Sequence, residues 1–218
     1  MNLLSFDIGI NNLAFCYGQY NPEIKKFNIL KWNKINLEFC CEEQCTQKIK
    51  YIDLLHETYK CKYHIIKNKL YHKHLKNKKK ITAELIIVKL NKIFKNLQNI
   101  KIHITIIENQ LGHKAQKNKQ IQNYIEMYCN LKLNCKKIYN CHPKNKFFFL
   151  NKKVLENYEK KNAYKNKENI IMFILNYLKK IDDKINLNKI KIFKKKDDLA
   201  DSLILILFYL NKFFNVNF

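Results

Sequence analysis

The chain predicts an α/β fold, a mixed five-stranded sheet with helices on both faces and a small Cys-rich insertion. Three observations carry that prediction. Three apolar segments stand in close series over residues 3–32, as the strands of an antiparallel meander do. After residue 81, segments with apolar residues at helical spacing alternate with two short strand candidates, the first continuous and β-branched, the pattern of strands joined by helical crossovers. A length of 218 residues suits one domain with room for an insertion.

The elements follow in order. Residues 3–8 form a short apolar strand that ends in Asp7-Ile8-Gly9, and residues 13–20 and 27–32 continue the meander, with a turn at 20–26. Residues 38–80 break the pattern, being Cys-rich and then strongly basic with no sustained apolar period; they read as an insertion in a single domain spanning 1–218. From 81 to 97, Ile86, Leu90, Ile93, Phe94 and Leu97 recur at helical spacing and predict an amphipathic helix. Residues 102–108 are continuous and β-branched, a buried strand. A second helix is predicted within 114–133, through Ile121, Ile125 and Tyr128, and a last strand at 135–141, broken by His142-Pro143. Residues 144–167 read as a Lys-rich irregular linker, and 169–181 and 197–214 as apolar-faced helices.

Charge limits the partners. Against 18 acidic residues stand 42 basic ones, a formal charge of +24, and every basic residue is Lys. Asn occurs 30 times, and Lys, Asn, Ile and Tyr share A/T-rich codons, so base composition accounts for Lys over Arg. It does not account for the excess over acids, which points to a polyanion, nucleic acid first and a membrane surface second. Lysine acts as a point charge and suits phosphate and shape recognition better than base reading. Three glycines and no GxxxxGK exclude a P-loop, and an actin-like ATPase would need duplicated domains and further glycine-rich loops. The start, MNLLSFDIGI, has no basic region before its apolar run. The apolar run at 203–210 is far shorter than the roughly 20 residues of a membrane span. Eight cysteines without secretion signals fit a reducing compartment, so a soluble intracellular protein is expected.

Few carboxylates occur, so those bordering apolar segments stand out. Asp7 ends the first strand, Glu108 ends the fourth, and Asp197, Asp198 and Asp201 open the last helix. Asp198 and Asp201 lie at i and i+3 on one helical face, and Asp197 and Asp201, at i and i+4, offer the same relation. Each has an ordinary reading: a turn residue for Asp7, a strand end for Glu108, dipole-favoured first-turn acids for Asp197 and Asp198. In a meander followed by αβαβα, the ribonuclease H-like arrangement, the ends of strands one and four meet the start of the last helix. Carboxylates so gathered repel unless cations neutralise them, and hard oxygen donors select Mg²⁺ or Mn²⁺. Two such ions support phosphodiester hydrolysis.

Asp7-Ile8-Gly9-x-x-Asn12, Ile107-Glu108-x-Gln110 and Lys196-Asp197-Asp198-x-Ala200-Asp201-Ser202 resemble the three motifs of poxvirus-type Holliday junction resolvases, relatives of bacterial RuvC. The resemblance runs from residue 3 to about 210 and includes, more loosely, the segment at 141–149 with Pro143 and Lys146. It implies a homodimer that binds four-way DNA junctions and nicks two strands symmetrically with two Mg²⁺ ions, for which Mn²⁺ can substitute. Such an enzyme serves DNA recombination and the resolution of replicated viral genomes, and host cytoplasm is the implied location. Asp7, Glu108, Asp198 and Asp201 are the implied metal ligands, with Asp197 the alternative to Asp198. Lys196 is expected at the scissile phosphate, and Lys114, Lys117, Lys144 and Lys146 on nucleic acid. Competing readings are a nuclease acting on RNA–DNA hybrids and a non-catalytic basic nucleic-acid-binding protein.

The Cys-rich stretch and the Lys-rich linker depart from that family. Cys41-x₃-Cys45-x₁₅-Cys61-x₂-His64 has the outline of a structural zinc site, with Cys40 an alternative first ligand. Reduced cysteines beside an incidental His are the competing reading. Residues 60–80 contain nine lysines, three histidines and no acid, the composition of a basic arm. Cys16, Cys129, Cys135 and Cys141 fall in strand or helix patterns and are expected in the core. His103 and His113 flank the Glu108 strand, where an ordinary role outweighs activation of water.

Overall fold

The computed structural model describes residues 1–9, 12–37, 45, 47–53, 58–65, 71–73, 82–97, 99–112, 115–154, 163–193 and 195–218. Strands β1 (Asn2–Ile8), β2 (Asn12–Asn21) and β3 (Lys26–Asn36) form the expected meander. The insertion contributes three short strands, β4 (Tyr51–Asp53), β5 (Thr58–Lys60) and β6 (Tyr71–Lys73). Helix α1 (Ala83–Phe94), strand β7 (Ile104–Glu108), helix α2 (Gln116–Leu131) and strand β8 (Lys137–Cys141) follow. Helices α3 (Pro143–Val154), α4 (Ala163–Lys180), α5 (Lys184–Ile192) and α6 (Lys196–Phe214) complete the order.

The main sheet has five strands in the order β3-β2-β1-β7-β8, the first three antiparallel and the last two added parallel to β1. Gly9 closes the turn after β1: its N–H donates to Asn12 O at 2.9 Å, and a Cβ there would stand 2.9 Å from the same oxygen. The insertion strands pair separately, in the order β5-β4-β6, all antiparallel.

Strand alternation splits the core into two layers. Leu3, Cys16, Trp32, Ile104 and Ile106 face α3–α6, whereas Leu4, Phe6, Ile8, Phe15 and Ile107 face α1 and α2. Helix α6 is buried over nearly its whole circumference from Leu199 to Leu210, because β1 and β2 cover one side and α4 another. Each buried Leu, Ile or Phe in that stretch contributes roughly 1.5–3 kcal/mol. No helix among the described residues is long and apolar enough to cross a membrane.

Two segments differ from expectation. Much of the irregular linker at 144–167 is helix, α3 and the start of α4. Pro143 occupies the first helical position, where its fixed φ and missing N–H carry no penalty, and His142 Nδ1 accepts from Lys144 N at 3.2 Å just before it. Helix α5 was not expected. Its start is capped by Asp183, whose carboxylate accepts from Asn186 N at 3.0 Å. Only Ile190 of α5 is buried, while Ile185 and Ile192 are 82% and 84% exposed, so the segment carries little apolar period.

Candidate active site

Side-chain parity brings the acids together before any contact is considered. Along β1, Leu3 and Ser5 point to the α6 layer and Leu4, Phe6 and Ile8 away from it, so Asp7 points to α6. Along β7, Ile104 and Ile106 face α6 and Ile107 faces α2, so Glu108 also points to α6. Phe6 lies opposite Ile107 in the parallel register, which sets the two carboxylates side by side at the strand ends.

The start of α6 is anchored above them by buried hydrogen bonds. Trp32 Nε1 donates to Leu199 O and to Ser202 Oγ, both at 3.0 Å. Ser5 Oγ donates to Ser202 O at 2.6 Å, and Ser202 Oγ to Leu199 O at 2.8 Å. Bonds from β1 and β3 thus hold the turn that carries Asp198 and Asp201. This anchor was not foreseen; a Trp among the polar residues at the middle of β3 and a Ser one residue before the apolar run of α6 are the signals that point to it.

Lys146, in the first turn of α3, completes the centre. Its ammonium lies 2.9 Å from Glu108 Oε1 and 3.0 Å from Asp201 Oδ1, and its side chain is only 7% exposed. Among the described residues, no three carboxylates bring oxygens within 4.8 Å of one another. The ammonium stands between two of them instead. Burial works against the Lys146 charge, but Asp201, Glu108 and Asp7 outweigh it and hold its pKa up. Burial pushes Asp7 well above the usual carboxylate range, helped by Asp201 and by Glu108, with which it shares a hydrogen bond, and opposed by Lys146. Burial likewise raises Asp201, against the pull of Lys146. The carboxylates are therefore short of positive charge: one lysine serves three acids.

Asp198 and Asp197 diverge. Asp198 Oδ2 is buried and makes no hydrogen bond, with Lys34 Nζ 3.7 Å away as an ion pair. Asp201 Oδ1 also lacks a well-aligned hydrogen bond, although the Lys146 ammonium is 3.0 Å from it. Asp197 turns to α4, where Lys167 Nζ donates to its Oδ2 at 2.7 Å. Burial opposes ionisation of Asp197, but Lys167 prevails and lowers its pKa.

The other expected residues are more scattered. Lys196 is half-buried and has no ion pair with the acids among the described residues; Lys34, Lys146 and Lys167 face them instead. Lys117 and Lys144 are exposed, and Lys114 and His113 lie outside the described residues. His103 belongs to the opposite end of the strands, where its Nδ1 accepts from Asn2 N at 3.0 Å. Cys16, Cys129 and Cys141 are buried and Cys135 half-buried.

In the insertion, Cys45, Cys61 and His64 bring their ligand atoms within 4.8 Å of one another, while Cys40 and Cys41 lie outside the described residues. Burial opposes ionisation of Cys61, but N–H groups of Tyr63 and His64, the His64 ring and Cys45 lower its thiol to about 7.

A sheet in this order, with a carboxylate from each of two neighbouring parallel strands and from the last helix, defines a ribonuclease H-like fold with an acidic centre. Residues 3–110 match a family model described as mitochondrial resolvase Ydc2 / RNA splicing MRS1. Solved structures share the fold over nearly the whole chain. The fowlpox virus resolvase in complex with substrate Holliday junction DNA is 16% identical, with a TM-score of 0.55 over 97% of this chain and 98% of that one. The fowlpox virus Holliday junction resolvase is 15% identical, at a TM-score of 0.54 over 97% and 99%. Thermus thermophilus RuvC is 12% identical, at 0.51 over 97% and 96%. No curated protein sequence matches the chain.

Proposed function

We propose that the protein is a Holliday junction resolvase, a structure-selective DNA endonuclease that makes paired, symmetric nicks in four-way junctions. The observation that carries this reading is the convergence of Asp7, Glu108 and Asp201 on one buried lysine, on a fold shared with resolvases. The domain reading is one resolvase domain over 1–218, interrupted by an insertion at 38–80.

The donor set fits Mg²⁺. Its groups are carboxylate oxygens, and Asp198 Oδ2 is buried with no hydrogen bond, its charge met only by the Lys34 ammonium 3.7 Å away. Asp7, Glu108, Asp198 and Asp201 would hold the metal. When bound, it supplies Lewis acidity and a water of lowered pKa. The chain's own part is positional. The sheet fixes Asp7 and Glu108, the Trp32–Ser202 bonds fix α6, and Lys146 neutralises the centre until metal enters. Asp197, tied to Lys167, supports the helix start. Lys196 and the exposed Lys117 and Lys144 would meet phosphate, and the charge of +24 holds the DNA arms by their backbones. A two-fold junction suits a two-fold homodimer. A second cofactor in this reading is a structural zinc ion at Cys41, Cys45, Cys61 and His64.

The matching family's description also names an RNA-splicing protein. RNA binding alone has no use for carboxylates buried against their ionisation, which favours the nuclease. Matched substrates separate the readings. With Mg²⁺, the protein should cut a mobile four-way junction and leave linear duplex intact; cleavage of RNA–DNA hybrid with the junction untouched contradicts the proposal.

A further inference from the structure

The insertion holds a metal site that the acidic centre does not use. We propose that Cys45, Cys61 and His64 bind a structural zinc ion, and that this metal presents the Lys62–Tyr63 turn as a contact for DNA.

Geometry carries the first part. Two thiolates bound tetrahedrally at about 2.3 Å from zinc stand about 3.8 Å apart. Cys45 Sγ and Cys61 Sγ are 3.8 Å apart, and Cys61 Sγ is 3.2 Å from His64 Nδ1. A disulfide would need sulfurs about 2.05 Å apart. Cys61 directly follows β5, and His64 N donates to Cys61 O at 3.2 Å, so a tight turn directs both ligands inward. Cys45 arrives from the other side of β4. Three ligands therefore tie the chain before β4 to the chain after β5, bracketing two of the sheet's three strands. A fourth ligand completes a structural zinc site; Cys41 is its candidate by spacing and lies outside the described residues.

The insertion has need of such a tie. Tyr59 and Cys61 are buried, yet neither belongs to the two core layers. Strands of three residues have little to hold them alone. Metal binding supplies folding free energy where a core is missing.

The second part rests on the DNA-binding reading above. Lys62 and Tyr63 fill the two positions between the ligands Cys61 and His64. Tyr63 is 64% exposed, and Lys62 Nζ lies 4.5 Å from its ring centroid. An exposed aromatic beside a cation, in a segment with nine lysines and no acid over 60–80, fits a base or sugar face beside phosphate.

The test begins with the full-length protein purified without added chelator. Elemental analysis should find about one zinc per chain, and cobalt exchanged for it should give thiolate-to-metal absorption. Cys61→Ser should lose the metal, while His64→Cys, which preserves a ligand, should keep it. Zinc-free wild-type protein, or a Cys45–Cys61 disulfide in its place, overturns the site whatever the nuclease result. Lys62→Ala/Tyr63→Ala should retain zinc and bind a synthetic four-way junction roughly ten-fold more weakly. Unchanged binding by that zinc-loaded variant overturns the DNA contact and leaves the nuclease reading intact.

Discussion

The acidic centre and the cysteine–histidine turn both gather metal-binding groups, but they are built in opposite ways. Asp7, Glu108 and Asp201 come from three distant parts of the chain and are held by sheet register and buried hydrogen bonds. Cys61 and His64 are three residues apart on one turn, beside strands outside either core layer. A site seated on a packed core exists before its metal and bears the cost of crowded charge. A site without a core depends on the metal for its shape. Removing metal should therefore unfold one region and leave the other standing, strained.

The largest separation should come from Asp7→Asn. Junction nicking should fall by about 10³-fold, some 4 kcal/mol of transition-state stabilisation, while zinc content stays unchanged. The metal-free variant should be more stable than wild type, because burial holds Asp7 above the carboxylate range. The sign follows from linkage: between the ordinary carboxylate pKa and the raised folded value, the folded state keeps a proton that the unfolded chain has lost. Metal-free wild type should then lose stability as pH rises through that window, and Asp7→Asn should lose less. Melting curves against pH in chelator check this, at roughly 2–4 °C for each kcal/mol. A steeper fall for the variant contradicts the charge-crowded centre.

Next in size is Lys146→Met. Breaking a buried charge set by removing one partner costs about 3–5 kcal/mol, and added Mg²⁺ should restore part of the lost melting temperature. A variant as stable as wild type without metal would mean that Lys146 does not neutralise the acids.

Trp32→Phe should cost about 1–3 kcal/mol, by leaving Leu199 O and Ser202 Oγ without their indole donor. Thermal melting reads the loss, and the zinc site should not respond. The smallest effects belong to exposed lysines: Lys117→Ala and Lys144→Ala should each reduce the salt slope of junction binding by about one. An unchanged slope in both would place the DNA elsewhere on the surface.

Much of the main sheet was legible because strand period and burial agree. The run from Leu3 to Ile8 alternates between layers, and that alternation also aims Asp7 and Glu108 at α6. The divergence of Asp197 from Asp198 was less legible, since adjacent helical residues differ by about 100° and only the packed neighbours Lys167 and Lys34 distinguish them. Lys146 was expected on DNA; its burial depends on ion pairs to residues far away in sequence, which no local pattern encodes. Helix α3 was concealed by reading Pro143 as a break when it starts the helix. Strands β4–β6 are too short to show a period.

The proposed function is cleavage of branched DNA by the acids on β1, β7 and α6. Its most direct test is a synthetic four-way junction incubated with the wild-type protein in Mg²⁺ or in chelator, with cleavage mapped on all four strands. Paired nicks at symmetric positions on two opposing strands, present with Mg²⁺ and absent with chelator, are the expected result. Binding without nicks under both conditions would contradict it.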